Sequence, residues 1–443
     1  MISVDPARRA WPFRLAAVYS GVFLLLFARR PDALLNAQFW AEDGPVFFHA
    51  ALVDGLRSFF EGYAGYIHVV PRLVALIALI FPFNLQPLVY NLASLLIAAG
   101  VLTLFAAPAY RYLVHSDIAR IAIVLAAAIA PFGGEVIGDI TNIQWFLTIG
   151  ALLLVLYRPT VASASGSVLR ALLAACCAFS APLTILWLPM ALRVLSAPRH
   201  RERTTALIVI VGSVFEVGLS VVSAQSAHQP FSLHVLATAL AATLIFRVVV
   251  PTILGQVVAV NLTALPAVAL AFTGCVAVGI ALLPRTKAAR FRAIAIALWI
   301  VASLLVALIG RNFVAMFGSV RHFTVFGGER YFFVGSLLLV YLIGSGIASR
   351  IRTFNGIALA TSAVFALAAF GNFSIPRFSD DRWNLEATQL ANWARARANR
   401  QATRALVIPI NPAGWSIQLP GCESTPAERQ AARLTCPPNS KAD

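Results

Sequence analysis

Mostly apolar stretches of about 17–22 residues recur between Trp11 and Phe370. Each is long enough for a helix, rising about 1.5 Å per residue, to cross a hydrocarbon core of roughly 30 Å. The pattern predicts helices near 12–28, 85–107, 119–132 and 144–157, then a short broken pair at 170–181 and 182–196. Further helices are predicted at 204–223, 262–283, 291–309, 331–348 and 354–370. Counting the broken pair as two gives eleven crossings. Two more apolar stretches, 66–82 and 234–260, read as helices lying in the outer interface or as re-entrant segments. If 234–260 is instead a hairpin, the crossings number thirteen. The first apolar run follows basic residues, as in a signal peptide. It continues into "FARRPDALL" rather than a small-residue cleavage site, so it reads as a helix.

The polar segments between these runs set the orientation. Arg8/Arg9/Arg14, Arg111/Arg120, Arg158/Arg170, Arg199/Arg201/Arg203, Arg285/Lys287/Arg290/Arg292 and Arg350/Arg352 cluster at helix ends. Placing all of them in the cytoplasm puts the N-terminus inside and the tail outside. The outer segments are then 29–65, 133–143, 224–233, 310–330 and 371–443, and a first outer loop spans 29–84 once the 66–82 stretch is included. The expected organisation is an all-α polytopic membrane domain over 1–370 and a small extracytoplasmic α/β tail over 371–443. In that tail, "SDDRWNLEATQLANWARARANR" predicts a helix capped near Ser379 or Asp380, and Ala405–Ile410 reads as a strand followed by turn residues.

Composition agrees with this class. The chain has 443 residues, is 60% hydrophobic and only 12% charged, with mean hydropathy +0.82. Its net charge of +16 suggests nucleic-acid binding, but the arginines are scattered between apolar runs rather than gathered on one face. No nucleic-acid partner is expected. Cys176, Cys177 and Cys275 lie in apolar runs as packing residues. Cys422 and Cys436, in the tail, could pair as a disulfide if the tail lies outside the cytoplasm.

In a chain with 18 acidic residues, "NAQFWAEDGPVFFHAALVDG" sets Glu42 and Asp43 side by side between aromatics. The following "VFFHAALVDGLRSFF" places Phe48, Leu52, Leu56, Phe59 and Phe60 at helical spacing, with His49, Asp54 and Arg57 elsewhere, and predicts an amphipathic surface helix. "EGYAGYIHVVPR" then supplies His68 and Arg72. A carboxylate on an apolar surface can act as a general base toward a hydroxyl or amine, or offer oxygen to a divalent metal such as Mg or Mn. The plainer alternative is a loop salt bridge or a helix N-cap, since Asp43 precedes Gly-Pro.

An acidic pair in the first outer loop, after the first crossing and before a surface helix, resembles the GT-C superfamily of integral-membrane glycosyltransferases. The resemblance covers the architecture of the whole chain and, in sequence, "WAEDG". It implies a polyprenyl-phosphate sugar donor and a glycan, lipid or protein acceptor of a bacterial cell envelope, met at the outer face of the inner membrane. By the same resemblance Asp43, with Glu42, is the catalytic base or orients the acceptor. Some members carry another acid in a second outer loop, where "GGEVIGDITNIQWF" offers Glu135 and Asp139; these can equally be a solvated turn. Asn142, Gln144 and Trp145 could hold a sugar, or Trp145 could mark the membrane interface.

A lipid-phosphate donor needs cations. "RNFVAMFGSVRHFTVFGGERYFF" supplies Arg311, Arg321, His322 and Arg330, with Glu329 beside the last. Arginine suits phosphate because its planar fork donates two parallel hydrogen bonds, and arginine on the outer side runs against the positive-inside bias. An ordinary Glu329–Arg330 surface pair is the alternative. Arg247 is expected to pair with Glu216, the acid within an apolar helix. Together these residues point to an inverting sugar transferase with the lipid phosphate displaced against Arg330. The competing readings are a transporter or flippase, which would line a midplane path with polar groups, and a non-catalytic subunit of envelope assembly.

Overall fold

The computed structural model describes residues 6–131, 133–159, 163–197, 203–223, 231–262, 265–281, 286–310, 314, 328–350, 356–399, 404–422 and 424. Its helices, in chain order, begin with α1 Pro6–Arg29, α2 Asp32–Leu35, α3 His49–Asp54, α4 Val69–Ala78, α5 Gln86–Leu104 and α6 Asp117–Ala128. They continue as α7 Gln144–Leu156, α8 Ala164–Ala178, α9 Leu188–Ser196, α10 Arg203–Val222, α11 Leu233–Thr243, α12 Val250–Leu254 and α13 Gln256–Asn261. The last are α14 Leu265–Ala281, α15 Lys287–Gly310, α16 Arg330–Arg350, α17 Gly356–Gly371 and α18 Trp383–Ala398. The sheet is a single antiparallel hairpin of β1 Leu406–Ile410 and β2 Trp415–Leu419, with Ile408 opposite Ile417.

Local sequence explains several boundaries. The hydroxyls of Ser116, Ser163 and Ser232 accept from the backbone N–H three residues on and start α6, α8 and α11. Pro87 occupies the first turn of α5, where its missing N–H costs nothing.

Among the described residues six helices are long and apolar enough to cross a membrane: Trp11–Arg29, Phe83–Leu104, Arg203–Val222, Leu233–Leu254, Arg290–Gly310 and Arg330–Ser349. This is the make-up of a multi-pass membrane protein. The segments Ala164–Ala178 and Pro182–Ser196 bend by 118° at their break and make a seventh if counted as one span. Among the described residues, not all of the eleven or thirteen crossings expected from hydropathy are matched by a helix of spanning length. α6 has 12 residues and α7 has 13, so each reaches only about 18–20 Å at 1.5 Å per residue. α7 is enclosed along nearly its whole length, whereas α6 leaves Ile118 and Leu125 exposed. A second correction concerns 234–260. It is one continuous helix over Leu233–Leu254, joined through a π-helical turn at Leu244–Val249, rather than a hairpin. The 66–82 stretch contributes the short α4, buried on one side.

Small residues let these helices approach closely. A methyl group on Gly344 of α16 would stand 2.5 Å from Ile123 of α6, and one on Gly212 of α10 would stand 2.6 Å from Ala178 of α8.

The single amphipathic helix expected after Asp43 is not formed. Residues 41–60 pass through a 3-10 turn, a π-helical turn, α3 and another 3-10 turn, with Gly55 at φ 56° ending α3. A left-handed residue stops helical propagation, and the side chains split accordingly: Phe48 is fully buried while Leu56 and Phe60 are exposed.

The tail packs onto this first loop. Asn411 pairs with Trp40 in an isolated bridge, and its carbonyl accepts from Ala41 N–H at 2.5 Å. The β hairpin sets Ile410 and Ile417 against Gly44, where an added Cβ would lie 2.7 and 2.8 Å from them. The helix cap expected at Ser379 or Asp380 lies at Arg382 instead, at φ 56° and without a side-chain cap bond. Asp380 Oδ1 accepts from Arg382 N–H at 3.0 Å, and Ser379 N–H is bound by Asn411. Cys422 is buried and disulfide-bonded, whereas Cys176, Cys177 and Cys275 are free; Cys436 lies outside the described residues.

Trp383 joins tail to core. It is buried, donates from Nε1 to Phe83 O at 2.9 Å and meets Phe39 edge-on at 4.8 Å. Trp383→Ala is expected to cost about 3–5 kcal/mol by leaving a cavity. The checks are a lowered unfolding midpoint in detergent and faster proteolysis within 383–422.

Candidate functional site

The 3-10 turn Ala41–Asp43 aims the Asp43 side chain into the protein, where it is fully buried. Its Oδ1 accepts from Thr141 N–H at 2.9 Å and from Thr141 Oγ1 at 2.6 Å. Across the same turn Asp139, also fully buried, accepts from Asn142 N–H at 2.8 Å. One tight stretch, 139–143, therefore presents two carboxylates at the start of α7. Among the described residues Asp43 Oδ2 and Asp139 Oδ2 have no hydrogen-bond partner.

Burial dominates the electrostatics. It pushes the Asp43 carboxyl up to about 7; the Thr141 bonds pull it down and neighbouring Glu42 pushes it further up. Burial also raises Asp139 well above the usual carboxylate range, and the charge of Asp43 adds to this. Donors at the N-terminus of α7 favour the charged forms, but desolvation outweighs them, as expected for carboxyls wholly removed from water.

Positive charge comes from three directions. Arg330, the first residue of α16, has Nη1 3.6 Å from Glu135 Oε2 and lies within electrostatic range of Glu42 and Asp139. Arg30, just beyond α1, is buried, donates from Nη2 to Gly134 O and Pro376 O at 2.7 Å each, and stacks over Phe378 at 4.1 Å. Its charge acts on Asp139 and Glu329. Arg247, on the π-helical turn, acts on Glu329, not on Glu216. Glu329 is buried and accepts from Gln256 Nε2 at 3.3 Å; burial, with Glu135 nearby, raises its carboxyl to about 7.

The expected site residues divide clearly. Glu42, Asp43, Glu135, Asp139, Glu329 and Arg330 come together, so the first loop does meet the segment leading into α16. Arg311, Arg321 and His322 lie outside the described residues. His68 and Arg72 flank the Asp43 segment from the opposite side. His68 has φ 61° and stacks on Tyr66 at 3.7 Å. Arg72 lies 5.1 Å over Phe47 and 3.7 Å from Glu61, and Tyr90 is within electrostatic range of both Arg72 and Asp43. Trp145 is buried, donating to Asn142 Oδ1 and packed edge-on with Tyr331. Its ring is packed within the protein. Gln144 accepts from Tyr66 OH at 2.8 Å.

The expected Arg247–Glu216 pair is replaced by a different bond. Glu216 Oε2 accepts from Ile67 N–H at 3.1 Å, and Ser220 donates to Gly65 O, so α10 grips the 65–67 loop. Sequence reasoning passed over Thr141 and Arg30. Thr141 carries no signal of its own. Arg30 did: Arg29 and Arg30 follow an apolar run on the side assigned as outer, against the charge bias.

Among the described residues no group of three or more His, Cys, Asp and Glu side chains converges to hold a metal. Asp43 and Glu42 point apart in burial, one enclosed and one half-exposed. What the cluster offers is a near-neutral carboxyl beside several fixed cations. No protein-family model matches this chain, and neither does any curated protein.

The raised Asp43 value carries a sign for stability. The folded state holds this proton more tightly than the unfolded chain, whose carboxyl titrates near 3.8. The resulting stabilisation is complete below that value and is lost as pH rises through about 7. Asp43→Asn, which mimics the protonated form, is expected to gain on the wild type across that window by up to about 1.4 kcal/mol per pH unit. Unfolding midpoints of the two proteins in detergent between pH 4 and 8 measure it; parallel curves would contradict the burial argument.

Proposed function

We propose that this protein is a membrane glycosyltransferase of GT-C type. It moves a monosaccharide from a polyprenyl-phosphate donor to an envelope glycan, lipid or protein acceptor on the outer face of a bacterial inner membrane. The observation that carries the reading is the Asp43 carboxyl. It is held on one oxygen by Thr141, has its other oxygen unengaged and titrates near neutrality. A general base works best with a pKa near the operating pH. Strongly perturbed acids facing fixed cations are characteristic of catalytic sites.

In this mechanism Asp43 takes the proton of the acceptor hydroxyl, and the acceptor oxygen forms a bond to the anomeric carbon. The bond from that carbon to the phosphate oxygen breaks, and the lipid phosphate leaves with the electron pair. Arg330 stabilises the charge gathering there. A single displacement of this kind inverts the anomeric carbon. Asp139, whose carboxyl burial raises beside Asp43, lines the same space as the base. The transporter reading would rest on Glu216, the acid within a long apolar helix, which binds Ile67 N–H through one oxygen but faces none of the cations that surround Asp43 and Asp139.

Two tests follow from the roles assigned. In a deletion strain, envelope glycans are compared by mass spectrometry after complementation with wild type, Asp43→Asn or Glu42→Gln at matched expression. Loss of one sugar increment in the deletion and in Asp43→Asn, restored by wild type, is expected, with the transfer rate falling about 10²–10⁴-fold as for removal of a general base. An unchanged profile in both variants would remove the acids from catalysis. Arg330→Gln is expected to lower the transfer rate by on the order of 10²–10³-fold, as for loss of one preorganised donor to a developing charge. A normal rate in Arg330→Gln would place the leaving phosphate elsewhere.

A further inference from the structure

A second concavity lies away from the acids, where the end of the 31–38 segment, the start of the Phe83–Leu104 span and the first turn of α18 meet. It encloses about 400 Å³. One wall is rich in carboxamides: Asn36, Gln38, Asn84 and Asn384. Gln38 is itself buried and donates from Nε2 to Asn36 Oδ1 at 3.0 Å, so this wall is organised. Asp380 and Arg382 border the same space. The other wall is apolar. Leu85 and Leu88 belong to the first turns of the span, and Leu35 and Leu385 are 77% and 60% exposed.

Arg382 is the least settled residue in this wall. Its backbone sits at φ 56°, which disfavours any residue with a side chain. Its cation stands at the start of α18, the end that repels positive charge. Among the described residues its guanidinium has neither a hydrogen bond nor an ion pair, and Asp380 binds only its backbone N–H. An anion in the cavity would offset this charge. Carboxamides and a carboxylate beside it match the donors and acceptors of neighbouring hydroxyls. The exposed leucines match an acyl or prenyl chain.

We propose that this cavity binds the headgroup of an amphiphile bearing one phosphate and neighbouring hydroxyls, with its tail laid along the Phe83–Leu104 span. None of the acids of the Asp43 cluster, or of the arginines beside them, lines this cavity, and Phe39 packs edge-on against Trp383 of its lining and against Tyr90. The site is thus distinct from the Asp43 cluster and does not depend on its catalytic role. Two sources share the required chemistry: a phospholipid with a glycerol headgroup, and a lipid-linked sugar phosphate.

The test uses the full chain in a polyoxyethylene detergent, which carries neither sugar nor phosphate. Binding of dihexanoyl-phosphatidylglycerol and of citronellyl-phosphate glucose is titrated by calorimetry, with dihexanoyl-phosphatidylcholine as the headgroup lacking hydroxyls. Saturable binding of at least one hydroxylated probe is expected, weakened at least tenfold by Arg382→Gln. The probe that shows this dependence identifies the source. Asn84→Leu with Asn384→Leu, both at exposed positions, is expected to erase the preference over phosphatidylcholine. Loss of binding in Arg330→Gln but not in Arg382→Gln would assign the probe to the acid cluster and overturn the proposal. So would an absence of saturable binding, or wild-type affinity in Arg382→Gln. These results leave the glycan profiles of the Asp43 variants untouched, so the two readings fail separately.

Discussion

The arrangement around Asp43 depends on removing one carboxyl from water while leaving it only half satisfied. Thr141 supplies both of its strong bonds, through backbone and hydroxyl. This ties the first loop to the turn that begins α7. Desolvation then raises the carboxyl, neighbouring Glu42 raises it further, and the charge of Asp43 in turn raises buried Asp139. A protein gains little stability from such a pair, because an incompletely paired buried acid costs more than an apolar side chain in its place. Its retention makes chemical sense if the near-neutral proton is used.

Arg29 and Arg30 bind together the segments that surround this cluster. Arg29 donates to Ala128 O, Ala130 O, Asn372 O and Phe373 O, and Arg30 to Gly134 O and Pro376 O. Two adjacent guanidiniums thus satisfy carbonyls from the end of α6, the loop carrying Glu135 and the exit of α17. The tail hairpin lays Ile410 and Ile417 on Gly44. The glycine is required there because a side chain would occupy the space of those two isoleucines. The disposition couples the tail to the acids mechanically, so a loosened tail would admit water to Asp43 and lower its proton affinity.

Several features could be read along the chain because they depend on local pattern. The apolar runs located the long helices, the 182–196 break marked a real bend of 118°, and Leu406–Ile410 formed the strand its composition suggested. "WAEDG" and "GGER" identified both halves of the charged cluster. Other features were misread for physical reasons. Hydropathy does not separate burial in lipid from burial in protein, and α7, read as a crossing, is enclosed along nearly its whole length. Helical spacing in "VFFHAALVDGLRSFF" was overridden by the left-handed turn at Gly55. Charge complementarity suggested Arg247 for Glu216, but an unpaired backbone N–H at Ile67 lay within reach and took the carboxylate.

By itself the sequence determined that the chain is helical and apolar enough to pass a membrane several times, and where its scarce acids and arginines lie. Hydrophobic periodicity and residue chemistry are properties of short windows and need no partner. Only the tertiary structure decided which acid is enclosed and which stays half-exposed, that Thr141 rather than a cation holds Asp43, and that Arg30 joins Arg330 beside the carboxylates. Those outcomes depend on desolvation and on contacts between residues tens to hundreds of positions apart, and neither quantity is a property of neighbours in sequence.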